Sequence, residues 1–92
     1  MQGWKAIKDP QAVLDYIFDW SAWLAGDTIS TQTLTADVGI TIDSSVIGGG
    51  NTTVTAWVSG GTAGKSYRVT SRVTTAGGRT DERSIVILVR DR

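Results

Sequence analysis

Residues 66–90, SYRVTSRVTTAGGRTDERSIVILVR, decide the fold class. From Ser66 to Ala76, the residues Tyr67, Val69, Ser71 and Val73 alternate with Arg68, Thr70, Arg72 and Thr74. A period of two places successive side chains on opposite faces of a strand. Thr80 to Arg90 then contains Ile85, Val86, Ile87, Leu88 and Val89, a run rich in strand formers. Gly77 and Gly78 lie between the two runs and signal a hairpin. A two-residue Gly77–Gly78 turn sets Arg72 opposite Arg83, where like charges repel. A three-residue loop of Gly77, Gly78 and Arg79 shifts the pairing by one. Tyr67 then meets Val89, Val69 meets Ile87 and Ser71 meets Ile85, so this loop or an equivalent bulge is expected.

The same punctuation extends upstream. In Ala12 to Leu24, the residues Leu14, Tyr16, Phe18 and Trp20 alternate with Asp15, Ile17 and Asp19. Pro10 stops any preceding helix and biases Asp9 towards an extended conformation. Asp27 to Ala36 is rich in threonine, and Ile29 and Leu34 fall on opposite faces, so a bulge or bend is expected. Gly39 to Ser44 puts Ile40 and Ile42 on one face, and Gly48, Gly49 and Gly50 form a loop. Thr52 to Ser59 alternates Val54, Ala56 and Val58 against Thr53, Thr55 and Trp57. Gly60, Gly61 and Gly64 mark the next corner, and no stretch reads as a convincing helix. Runs spaced by about 8–12 residues predict an all-β fold, an immunoglobulin-like antiparallel β-sandwich of about six to seven strands. Residues 12–92 form the sandwich and residues 1–11 an extended N-terminal segment. Tyr67 opens a long strand after a glycine corner. Immunoglobulin-like domains set a tyrosine there, with its hydroxyl bonded to the preceding backbone. The last strand is apolar on both faces; either loops and chain ends bury it, or a partner subunit covers its outer face.

The chain has 92 residues, which suits one domain. It has no cysteine, so disulfides and thiolate metal sites are excluded, and synthesis in the cytosol fits better than a small secreted scaffold. No stretch is apolar enough to cross a bilayer, and the N-terminus lacks a signal-peptide core, so the chain reads as a complete small gene product or as one made in the cytosol. Nine basic and nine acidic residues cancel, giving no argument for nucleic acid or anionic membranes. The signs are unevenly placed: residues 1–43 hold two basic against six acidic residues, and residues 44–92 hold seven against three. Either strands pair these charges within the chain, or one subunit's acidic edge meets a neighbour's basic edge.

Catalytic chemistry has few candidates. Histidine and cysteine are both absent, which removes the commonest general base and the best thiol nucleophile. Asp15 and Asp19 share a strand face, but solvated polar positions account for them better than a carboxylate pair. Asp81 and Glu82 sit in RTDER, a solvated tip or a pairing surface. The glycine clusters match neither a phosphate loop nor a calcium loop. No catalysis, cofactor or metal is expected. Four tryptophans are many for this length. Trp20 follows the core-facing row. Trp57 lies on the face opposite Val54, Ala56 and Val58, Trp23 at a strand end, and Trp4 ahead of the sandwich. Exposed aromatics suit protein interfaces and also sugar-binding platforms.

Several of these residues carry a resemblance. Trp4, Lys8-Asp9-Pro10, Ala12-Val13-Leu14-Asp15-Tyr16, Asp19-Trp20-Ser21, Trp23-Leu24 and Gly26-Asp27-Thr28-Ile29 are the first part of it. Gly60-Gly61-Thr62-Ala63-Gly64, Ser66-Tyr67-Arg68-Val69-Thr70, Thr74-Thr75 and the run from Arg79 to Ile85 are the second. With them the chain resembles the phage fiber–tail adaptor family over nearly its whole length, the middle from Ser30 to Val54 being the least diagnostic. The resemblance implies a structural virion protein of a tailed phage, made in the host cytoplasm and present in many copies at the tail or neck. Its implied partners are other virion proteins, namely the tail tube or neck adaptor and the fiber. It implies an interface role for Trp4, Lys8, Asp9 and Pro10, with Arg79, Asp81 and Arg83 at the hairpin tip added. Trp23 and Trp57 join them as exposed-aromatic candidates. A capsid decoration protein is the alternative within this class, and a carbohydrate-binding module the alternative outside it.

Overall fold

The computed structural model describes residues 3–90, with side chains from residue 6 onward. Seven strands form: β1 (Gly3–Lys8), β2 (Leu14–Asp19), β3 (Ile29–Ala36), β4 (Ile40–Gly48), β5 (Thr53–Gly60), β6 (Ser66–Thr75) and β7 (Thr80–Val89). One short helix, α1 (Ser21–Leu24), follows β2. The strands make a four-stranded sheet in the order β1-β7-β6-β3 and a three-stranded sheet in the order β2-β5-β4. Alternate side chains of both sheets meet in one core. Tyr16, Phe18, Val54, Ala56 and Val58 come from the smaller sheet, and Tyr67, Val69, Val73, Ile85, Ile87 and Val89 from the larger. Each of the valines, isoleucines and the phenylalanine contributes roughly 1.5–3 kcal/mol on full burial. The period-two rows of the sequence are therefore the rows that fill the core.

Four expectations are corrected. The sheets are not wholly antiparallel, because β1 pairs with β7 in parallel, from Gly3 opposite Ser84 to Lys8 opposite Val89. The segment read as lying ahead of the sandwich is thus the edge strand of the larger sheet from Gly3 onward, its first two residues lying outside the described part. The run Ala12–Leu24 does not stay extended: β2 ends at Asp19 and α1 turns the chain towards β3. The Asp19 carboxylate accepts the Ser21 N–H at 2.9 Å, which starts that turn.

The β6–β7 register keeps the predicted parity but sits two residues away. Tyr67 faces Ile87, Val69 faces Ile85 and Arg72 faces Glu82, so the two arginines are not opposed. The loop is Ala76-Gly77-Gly78, closed by Thr75 and Arg79, rather than Gly77 to Arg79. Gly78 donates to the Thr75 carbonyl at 3.0 Å with φ of +88°, a left-handed conformation that glycine adopts at low cost. This register also brings Arg72 within 3.6 Å of Glu82. The bend expected in the threonine-rich run is present as a register shift between Ile29 and Thr31.

Candidate docking surfaces

The predicted site residues fall in three places. At the hairpin end, Arg79 and Arg83 reach across to the β2–α1 corner. The Arg79 guanidinium donates to the carbonyls of Leu24 at 2.7 Å and Trp23 at 3.2 Å, capping the end of α1. It also lies 4.5 Å from the Trp23 ring centroid and 3.4 Å from the Asp27 carboxylate. Arg83 repeats the arrangement one step inward, donating to the Asp19 carbonyl at 2.7 Å and standing 4.3 Å over Trp20. Trp20 and Trp23 meet edge to face at 5.3 Å. The four side chains form a row, Arg79–Trp23–Trp20–Arg83, with the two indoles inside and a cation at each end, that ties the β6–β7 tip to α1. Asp81 is exposed beside it, its carboxylate accepting the Glu82 N–H.

Asp27 organises the same corner. Hydrogen bonds from Thr75, then from the Thr28 and Gly77 N–H groups and Arg79, hold its carboxyl below the usual carboxylate range. The loop must come close for this: a methyl group on Gly77 would stand 2.7 Å from Asp27 Oδ2. Asp19 is likewise lowered, by the Ser21 side chain and N–H and then by the charge of Arg83. The pairing of D-W-S-x-W-L-x-G-D with the R-T-D-E-R run, two motifs distant in sequence, is thus a contact within the chain.

The opposite end holds Lys8, Asp9 and Pro10. Lys8 is fully buried, and its ammonium donates to the Gly60 carbonyl at 2.7 Å and the Asp9 carbonyl at 2.8 Å. The first of these bonds joins the two sheets. Burial pushes the Lys8 pKa below the ordinary lysine value, against the charges of Asp9 and Asp43. Asp9 and Pro10 form a half-buried turn in which Gln11 and Ala12 donate back to Asp9. Trp4 lies opposite Ile85 in β1, and its side chain is outside the described part. Beside this end, the Tyr67 hydroxyl accepts the Thr62 N–H at 2.8 Å, the tyrosine bond expected from the glycine corner. Its ring is held between Gly39 and Gly61. A methyl group on either glycine would come within 2.8 Å of the ring or 2.6 Å of Val89 respectively.

The third place is the outer face of β2-β5-β4. Trp57 is 42% exposed there, with Asp15 on one side and Ser44 on the other. Ile17 and Val46, 54% and 55% exposed, flank Thr55 in the next row. The sequence reading named Trp57 but not this row. Ile17 was legible as the one apolar residue on the polar side of β2, whereas Val46 lies beyond the expected end of β4.

The sequence pattern of the family described as podophage GP4 fiber-tail adaptor protein gp77 matches residues 8–88. The chain belongs to this family. No curated protein matches it. The matched span runs from buried Lys8 to β7, so it takes in the sheet-joining lysine, the Tyr67 corner and both arginine clamps. In this member of the adaptor family, the tip motifs and the glycine corner hold the ends of the two sheets together. The outer face of β2-β5-β4 carries exposed Ile17, Val46 and Trp57, and exposed Val13 and Val38 lie in the connections between strands.

Proposed function

We propose that the protein is a structural component of a podophage virion that joins the tail or neck to its fibers by protein–protein docking. The match to the fiber–tail adaptor family over residues 8–88 carries this reading and favours the tail over the head shell. The role is mechanical rather than catalytic. With no histidine or cysteine in the chain, its polar groups serve turns, clamps and sheet ties. The two sheets are read as an immunoglobulin-like sandwich, supported by their strand order and by the Tyr67–Thr62 bond.

Docking uses the faces, with Trp57 as the aromatic anchor. The turn at Asp9 and Pro10, the exposed Asp81 and the rim of the Arg79–Arg83 stack supply polar contacts around them. A single exposed indole without a second aromatic beside it on the β2-β5-β4 face suits a protein partner better than a sugar. Electron cryo-microscopy of the source particle tests the reading. Density for this fold where fibers join the tail is expected; density on the head lattice alone, or none, overturns it.

A further inference from the structure

The two broad faces of the molecule differ in charge and are alike in carrying apolar surface. Strands β2, β5 and β4 contain Asp15, Asp19 and Asp43 and no lysine or arginine. Their outer face presents Ile17, Val46 and Trp57 within this acidic setting. On the other sheet, Ile7 is 45% exposed and stands opposite half-buried Leu88, with half-buried Val86 two residues away. Arg68 lies across from Val86, and Arg72 lies further along β6, a strand with no acidic residue. Arg72 is met by Glu82, and the Arg68 N–H donates to the Asp37 carboxylate at 2.8 Å, while the Arg68 guanidinium has no ion pair among the described residues.

We infer that a second copy of this chain docks front to back, its β1-β7-β6 face on the first copy's β2-β5-β4 face. Acidic face on acidic face sets like charges together at close range and is disfavoured. The opposed arrangement buries both apolar patches and brings Arg68 towards the aspartates of its neighbour. The molecule measures 42 × 22 × 19 Å, so one full face matches the roughly 800 Å² per partner of a stable interface. A heterologous contact of this kind leaves one face free on each end copy, so it closes into a ring or runs on as a filament. The inference deepens the adaptor reading, because the docked neighbour is another adaptor.

The chain has no cysteine, so introduced ones report single contacts. Ser44→Cys marks the acidic face and Ser66→Cys, opposite Leu88, marks the face that carries Arg68. Under mild oxidation, a mixture of the two purified variants should form the mixed disulfide dimer several-fold more than either variant alone forms its own. Asp15→Lys in the Ser44→Cys protein should reduce that yield, and Arg68→Glu in its partner should restore it. Homodimers alone, or no cross-link across a concentration series, overturn the inference. Such a failure alongside particle density at the tail–fiber junction leaves the adaptor reading standing. Strong mixed cross-linking with density elsewhere does the reverse.

Discussion

Replacing Gly61 by alanine tests how the glycine corner supports the core. Gly61 has φ of +96°, a region that side chains avoid at a cost of roughly 1–3 kcal/mol. The new methyl carbon would lie 2.6 Å from Val89 Cγ2 and 3.4 Å from the Tyr67 ring. Val89 and Tyr67 are both buried in the core, so neither moves freely, and overpacking of this kind costs about 1–3 kcal/mol. The reduced entropy of the unfolded alanine chain offsets about 0.4–1 kcal/mol. A net loss of about 2–4 kcal/mol is expected, a large part of the roughly 5–14 kcal/mol that a chain of this length commands. With an m-value of roughly 1–3 kcal/mol per molar urea, the unfolding midpoint should fall by about 1–2 M, followed by tryptophan fluorescence. Val89→Ala in the same protein should recover part of the clash but none of the backbone cost. A midpoint for Gly61→Ala within about 0.2 M of wild type would show that the corner is not packed as described.

Two further predictions concern buried and titrating groups. Ser71 is fully buried on the core row of β6 and its hydroxyl has no hydrogen-bond partner among the described residues, so Ser71→Ala should stabilise by about 0.5–1 kcal/mol; a loss of stability in urea titration would argue that the hydroxyl is satisfied. Asp19 and Asp27 have folded pKa values below the ordinary aspartate value of 3.8, so the stability they add is present above that value and is lost as pH falls through their folded pKa values. Urea midpoints at neutral pH and below pH 3.8 should show the drop, and Asp27→Asn should flatten it; an unchanged acid dependence in that variant would remove Asp27 from the account.

Much of the fold is legible in the sequence because strand faces follow a strict period. Tyr67, Val69, Ser71 and Val73 fall on the buried side as their alternation requires, and Trp20 is core. The hairpin parity follows from charge repulsion between Arg72 and Arg83. The final register does not, because Gly78 rather than Gly77 takes the left-handed position, and Gly77 is drawn against Asp27 by a tertiary contact. Strand β1 is hidden because a parallel partner 81 residues away leaves no local signature. Lys8 illustrates the limit at the candidate site. Its family motif reads as a surface contact, yet a long amphipathic side chain can lie through a core and place its ammonium on carbonyls at the far side. Arg79 and Arg83 are similar, since charge in a hairpin tip gives no hint that two indoles wait across the corner. The apolar row of Ile17 and Val46 escapes because its members sit on strands that meet only through β5.

The parallel pairing of β1 with β7 bears on how the protein carries load. Six residues of β1 lie in register beside β7, with Gly3 next to Ser84 and Lys8 next to Val89. The chain enters this strand pair at one end and leaves it at the other. Tension applied through the two ends therefore slides the strands along each other, and every inter-strand bond resists at once. An antiparallel terminal hairpin pulled the same way would open one bond at a time. Shear of this kind also strains the Lys8 tie to Gly60, which links the loaded pair to the second sheet. An adaptor loaded through its two ends would thus bear lengthwise tension without unzipping.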